Sequence, residues 1–319
     1  MISLDNIYSA HKRIKPFIHN TAVLTSARIN VLSGASLFFK CENFQKSGSF
    51  KIRGAANTIL QLKKPELKEG IVTASSGNHG AAVSSIATKL GYSSTIVMPR
   101  NTAKVKVENV LRNGGNIIWC EPNQASRDET LKDILSNTNK VLVHPYDDDR
   151  IIAGQATVVL ELLEQETDLD IIIVPVSGGG LLSGSLSTSK QIKKKIKVYG
   201  AEPYGADDAY RSLISGKIED NVITDTICDG LRAKLGLKTF PIIKENIDSI
   251  IRVRDKDIIN AMRLSWECLK IIMEPSCAIT LAVIFKNKSL FKNKKVGLVI
   301  SGGNVDLGDL PWKSENVTQ

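Results

Sequence analysis

Residues 171–190 read IIIVPVSGGGLLSGSLSTSK, and this stretch decides the fold. An apolar, β-branched run too short for a helix stops at a serine and three glycines, and small and hydroxyl residues that can open a helix follow. The same alternation extends outward. Short apolar runs at 37–41, 71–74, 95–98, 117–120, 141–143, 198–201, 250–253 and 296–300 are separated by segments of helical period. Such a pattern predicts an α/β protein built on open, twisted, mostly parallel sheets. Ligands of these sheets bind at the carboxyl ends of the strands. Chemistry is therefore expected at the three turns SSGNHG (75–80), SGGGLLSG (177–184) and SGGN (301–304).

Composition bounds the function. The 319 residues suffice for one large or two modest domains, at roughly 100–200 residues each. Hydrophobic residues are 42% and charged residues 24%, with no apolar run near the roughly 18 residues that span a bilayer, so no membrane partner is expected. The opening MISLDNIYSAHKRIKPF has no basic segment leading into an apolar one, which predicts an intracellular, cytoplasmic protein. Cys41, Cys120, Cys228, Cys268 and Cys277 form no CxxC, and His11, His19, His79 and His144 never reach ligand spacing. That argues against a disulfide scaffold or a zinc site. The net charge of +9 raises nucleic acid as a partner. However, the basic stretches 193–197 and 286–295 each read as a helix end before an apolar strand, where cations complement the helix dipole. Aromatics are only 5%, too few for a stacking platform. Nucleic acid is not expected, and a non-catalytic phosphate-ligand or nucleic-acid binder stands as the alternative of a different class.

In the glycine turn, consecutive backbone N–H groups can converge on one point beside a helix N-terminus, which would hold a phosphate; a plain strand-to-helix turn is the alternative. The dinucleotide signature GxGxxG would need glycine at Ser183, and a P-loop would end in GK[ST]; neither is present. Lys51 stands between Phe50 and Ile52 just after a small-residue turn. Partial burial there would lower its pKa and make its amine nucleophilic, whereas a solvated lysine is the bland reading.

SGSFKIRGA (47–55), SSGNHGAA (75–82), SGGGLLSG (177–184), CDGLRAK (228–234), MEPSCA (273–278) and SGGNVD (301–306) occur in one order and spacing. In that order they resemble the fold-type II pyridoxal-phosphate enzymes, of tryptophan synthase β type. Within that superfamily the chain resembles the serine racemase and serine/threonine dehydratase family, from HNTAVLTS (19–26) to Asp306. The resemblance implies a large domain of residues 1–68 and 148–319 and a small mobile domain of residues 69–147, with pyridoxal 5'-phosphate between them. It implies that Lys51 carries the cofactor, that Phe50 contacts its ring, and that Asn78 meets its phenolic oxygen. Ser177, Gly178, Gly179, Gly180 and Leu181 would cup its phosphate, Gly230 would lie near it, and Ser301 would meet its pyridine nitrogen. A hydroxyl at that nitrogen leaves the ring a weaker electron sink, which suits elimination better than transamination.

The implied activity is serine racemisation with serine dehydration to pyruvate and ammonia; catabolic L-threonine dehydration and threo-3-hydroxyaspartate dehydration are the rivals. Lys51 would remove the α-proton, and Ser76 is the candidate for the opposite face of the same carbon. Capping of the next helix is the structural alternative for Ser76. The turn of Ser75, Ser76, Asn78 and His79, assisted by Arg127, would bind the substrate carboxylate. AEPYGADDAY (201–210) resembles the family stretch in which Glu202, the Ala206 carbonyl and Asp208 hold magnesium, calcium or manganese. ATP as an activator would lie at a homodimer interface, against Ser26, Lys46, Ser47, Lys270 and Asn304. Ala81 and Asn113 depart from that pattern where a glutamine and a tyrosine are usual. Ala233 and Ala22 replace a serine and a proline. Only a short tail follows Asp306, so the isoleucine control of biosynthetic threonine dehydratases is not expected.

Overall fold

The computed structural model describes residues 1–75, 77–221 and 223–312. Ten strands form there: β1 (Val23–Leu24), β2 (Ser36–Cys41), β3 (Ile71–Ala74), β4 (Ser94–Pro99), β5 (Asn116–Cys120), β6 (Val141–Leu142), β7 (Ile171–Pro175), β8 (Lys197–Pro203), β9 (Ser249–Val253) and β10 (Lys295–Ile300). Every apolar run noted above becomes a strand with its ends moved by a residue or two. β1 is the addition. Its two residues pair antiparallel with Lys40 and Phe39 of β2, so its conformation comes from its partner and not from its own composition.

The strands assemble into two sheets. One has six strands in the order β1-β2-β10-β7-β8-β9, and the other has four in the order β5-β4-β3-β6. Apart from β1, every pairing is parallel. Both faces of the large sheet are covered, as parallel sheets require. In β7, Ile171 and Ile173 point into one apolar core, and Ile172 and Val174 into the other. Helix Pro275–Lys286 closes the first core, and helices Asp149–Gln165 and Gly180–Ile192 close the second. Each such side chain contributes roughly 1.5–3 kcal/mol on burial. The basic stretch 193–197 does follow a helix and lead into β8; between Lys286 and β10 a short helix, Lys288–Phe291, intervenes.

The small sheet's core draws on residues beyond the segment 69–147: Ile14, Ile18, Ile52, Ala55, Ile59 and Ile151 join Ile71, Ile86 and Met98. Helix Lys51–Ile59 accordingly packs against both units. It crosses helix Asp149–Gln165 at backbone contact, since a Cβ on Gly154 would lie 2.6 Å from the Gly54 Cα. Beneath that crossing lies a fully buried ion cluster. Arg53 donates Nε and Nη2 to Glu42 at 2.7 Å and both Nη atoms to Glu161 at 2.7–2.8 Å, and Lys40 donates to Glu161 at 2.8 Å. Among the described residues, no helix is long and apolar enough to cross a membrane.

Candidate active site

The strand ends of both sheets meet at one cleft. Lys51 is the first residue of its helix and is anchored from behind, where the Phe50 N–H donates to the Ser301 carbonyl at 3.0 Å and Ser49 bridges to Gly302. Its ammonium donates to the Pro145 carbonyl at 2.9 Å, beside the Phe50 ring. Burial, then the nearby Arg127 charge, lowers the Lys51 pKa from 10.5 to about 8, against an opposing pull from Glu274. A neutral amine is thereby available near neutral pH. Around it, three buried polar atoms lack a partner among the described residues: Ser49 Oγ, His79 Nδ1 and Glu274 Oε2. Unpaired buried groups are costly, and a polar ligand seated here would satisfy them. The residues fit a phosphorylated aldehyde cofactor.

The glycine turn lies across the cleft. Its helix begins at Gly180, earlier than the hydroxyl-rich SLSTSK suggested, so the turn itself supplies the first helical amides. Those N–H groups have no intrahelical partner and carry the positive end of the dipole. The glycines also have a packing reason. A Cβ on Gly178 would lie 2.4 Å from the Tyr146 ring, and Gly179 has φ +90°. Thr239 Oγ1 donates to the Gly178 carbonyl at 2.7 Å. Ser177 Oγ accepts from Ala233 N at 3.1 Å, and Gly230 N donates to Ser276 Oγ at 3.0 Å. Leu181 and Ser301 are buried at the ends of the segments that carry them.

On the turn after β3, Ser75 Oγ accepts from Gly77 N at 3.2 Å and from Gly80 N at 3.0 Å, at the start of the Asn78–Lys89 helix. Ser76 lies outside the described residues. His79 donates Nε2–H to the Val143 carbonyl at 3.1 Å; burial and the Lys51 charge hold its pKa near 3, so the ring is neutral and pins the turn to the end of β6. Arg127 donates to the Ala74 carbonyl at 2.9 Å. Asn78 donates Nδ2–H to Glu274 at 2.8 Å and accepts from Asn304 at 2.8 Å.

Several residues here were not singled out by sequence reasoning. Glu274 is 2% exposed, and burial raises its pKa to about 7. Lys106, 6% exposed, pairs with Asp229 from the opposite unit. The segment His144–Pro145–Tyr146 lines the cleft after β6, where the rule of strand ends would have found it. Lys106 offers no such signal, because KVKVEN alternates like a surface.

Of the three carboxylates in AEPYGADDAY, Glu202 and Asp208 are buried and lie near enough for the charge of one to act on the other, whereas Asp207 pairs with Arg211 and Arg252. Glu202 accepts from Ala209 N and Tyr210 N at 2.9 and 2.8 Å, and Asp208 accepts from Asn221 Nδ2 and Leu235 N at 2.6 and 3.2 Å. Burial raises both pKa values, and the Asp208 charge raises Glu202 further; Asp208 reaches about 6. Raised carboxylates beside the buried Ala206 fit a hard cation with oxygen ligands. Among the described residues no three His, Cys, Asp or Glu side chains cluster. Of the nucleotide positions, Asn304 donates to the Ser47 carbonyl at 2.9 Å, next to Lys46. Ser26 caps helix Ala27–Ser33, and Lys270 ends helix Asp255–Leu269 with φ 59°. Ala81 is buried, and Asn113 turns back onto Asn109.

An amine held near neutrality between two parallel sheets, opposite a glycine turn at a helix start, defines an enzyme of the pyridoxal-phosphate class. The family model described as pyridoxal-phosphate dependent enzyme matches residues 14–302, and the chain belongs to that family. It is 49% identical to a serine racemase of Arabidopsis thaliana, over 97% of this chain and 95% of that one. It is 44% identical to a beta-hydroxyaspartate dehydratase of Paracoccus denitrificans, over 97% and 98%. The solved structure of maize serine racemase superposes with a TM-score of 0.94 at 46% identity, covering 98% of this chain and 96% of that one.

Proposed function

We propose that the protein racemises serine and also dehydrates it to pyruvate and ammonia. The observation that carries this reading is the Lys51 amine, lowered to about 8 and enclosed between the two units. Full-length similarity to serine racemases supports the choice of substrate. Pyridoxal 5'-phosphate, when bound, supplies stabilisation of negative charge at the substrate α-carbon.

Lys51 would hold the cofactor, and its neutral amine would take the α-proton. Racemisation returns a proton to the opposite face, the task of Ser76. In dehydration the β-hydroxyl leaves as water after protonation, and the released enamine takes up water to give keto acid and ammonia. Asn78 and Ser301 would orient the ring, Phe50 and Gly230 would flank it, and Ser177 to Leu181 would hold its phosphate. The amides of the 75–79 turn and Arg127 hold the substrate carboxylate. The segment 69–147 moves as a small domain against residues 1–68 and 148–319, and its closure excludes water. Glu202, the Ala206 carbonyl and Asp208 would hold magnesium or a similar cation. ATP, where it acts, meets Ser26, Lys46, Ser47, Lys270 and Asn304 at a homodimer interface; the departures Ala81 and Asn113 weaken that contact. Five free cysteines favour the reducing cytoplasm.

Hydroxyaspartate dehydration is the second reading, favoured by the Paracoccus relative. Incubation with L-serine, L-threonine and threo-3-hydroxyaspartate, followed by chiral chromatography and keto-acid assay, separates them. D-serine with pyruvate is expected. Keto acid without D-serine removes racemisation, and turnover of hydroxyaspartate alone establishes the second reading.

A further inference from the structure

Glu274 is the N-cap residue of helix Pro275–Lys286, yet its carboxylate makes no capping bond. It turns into the cleft instead. Oε1 accepts from Asn78 Nδ2 at 2.8 Å, and Oε2 is buried with no partner among the described residues. The glycine that follows Ser301 makes room for it, since a Cβ on Gly302 would lie 2.5 Å from Oε1. On the other side, Asn78 Oδ1 accepts from Asn304 Nδ2 at 2.8 Å.

These two bonds have a stereochemical consequence. Above about pH 7, where Glu274 is ionised, its carboxylate only accepts, and an amide nitrogen only donates. Glu274 and Asn304 therefore hold the Asn78 carboxamide in one of its two flips. One hydrogen of Nδ2 is used on Glu274, and among the described residues the other has no acceptor. In the opposite flip the carboxamide oxygen would face the Glu274 carboxylate, and the group presented to the cleft would repel an anion.

We propose that Glu274 is a positioning residue of the reaction: it fixes the flip of Asn78 so that a free amide hydrogen, and not an oxygen, meets the anionic ring oxygen of the bound cofactor. This rests on the reading of Asn78 as the partner of that oxygen. Glu274 acts through Asn78, so its removal should matter only while Asn78 is present, whereas a generally structural residue would add its own loss.

The test is a double-mutant cycle read by the apparent dissociation constant for pyridoxal 5'-phosphate and by the position of the visible band. Glu274→Ala and Asn78→Ala are each expected to weaken binding by about tenfold and to move the band alike, with the double variant within about twofold of either single. Glu274→Gln keeps an acceptor oxygen for Asn78 and should restore most of the affinity. If Glu274→Ala does not fold by circular dichroism, Glu274→Asp, one methylene shorter and still charged, replaces it in the cycle. Losses that multiply to roughly a hundredfold overturn the proposal alone. Wild-type binding in Asn78→Ala overturns both it and the reading of Asn78. Neither outcome depends on whether serine, threonine or hydroxyaspartate is the substrate.

Discussion

Lys106 of helix Lys104–Arg112 donates to the carboxylate of Asp229, joining the small-sheet unit to the large one across the cleft. The aliphatic stem of the same lysine lies against the turn after β3, where a Cβ on Gly77 would come within 2.5 Å of its Cδ. One side chain thus supports the 75–80 turn and ties it to the segment that carries Gly230. Burial alone would lower the Lys106 pKa, but Asp229 and then Glu274 outweigh it and raise it. Lys106→Met should leave the cofactor band in place, reduce kcat/KM for serine by about tenfold, and increase hydrogen exchange at residues 77–82 by a similar factor. Unchanged exchange in that turn would show that the pair does not hold the cleft.

Lys51 sets the pH dependence of cofactor capture. Its lowered pKa means that the amine is protonated below about pH 8 and neutral above it. Only the neutral amine attacks an aldehyde. The rate at which apoenzyme takes up pyridoxal 5'-phosphate should rise about tenfold per pH unit up to about pH 8 and then level, followed at the visible band. Arg127→Met removes a cation that disfavours the charged lysine, so the midpoint should move upward. A midpoint near the ordinary lysine value in the unaltered enzyme would contradict the enclosure of this amine.

The architecture was legible because it is local. A run such as IIIVPV ends at glycines whatever lies elsewhere, and the strands and the glycine turn follow from segments read one at a time, whereas Lys51 and Asn78 stood out through the six ordered motifs that resemble the family. What escaped is long-range. Glu274 meets Asn78 and Lys106 meets Asp229 only after the two sheets have come together, and neither pair carries a spacing rule. β1 escaped for a related reason, since two half-buried residues become a strand only when β2 offers an edge. Capping of the Asn78–Lys89 helix was weighed for Ser76, which lies outside the described residues; Ser75 Oγ accepts from Gly80 N in the first turn of that helix.

The paired carboxylates predict an unusual stability profile. Glu202 and Asp208 are each 1% exposed, and burial first of all raises their pKa values, Asp208 from 3.8 to about 6. The unfolded chain releases these protons near pH 4 while the folded state still holds them, so stability without cation falls as pH rises from about 4 through about 6. For Asp208 alone that loss is roughly 3 kcal/mol. A divalent cation at the two carboxylates would offset it. Magnesium or calcium should therefore raise Tm by several degrees at about pH 7.5 and have little effect at about pH 5. Asp208→Asn should abolish the response. A Tm indifferent to cation at both pH values would remove the cation from this site.

Arg53 stands two residues beyond Lys51 and holds the helix that presents it. Its guanidinium is fully enclosed, yet it contacts two carboxylates, Glu42 and Glu161, and Lys40 balances the remaining charge. Such a cluster contributes little net stability compared with an apolar core of the same shape, but removing one member leaves a buried charge unpaired. Arg53→Leu should therefore destabilise the protein by about 3–5 kcal/mol, seen as a fall in Tm on the order of 5–10 °C. Arg53→Lys keeps the charge and loses the forked geometry, so it should fall between. Because Arg53 does not figure among the charges that perturb Lys51, the pH midpoint of cofactor capture should stay where it is in the folded fraction of both variants. A shifted midpoint with unchanged Tm would mean that Arg53 acts on Lys51 electrostatically and not by holding its helix.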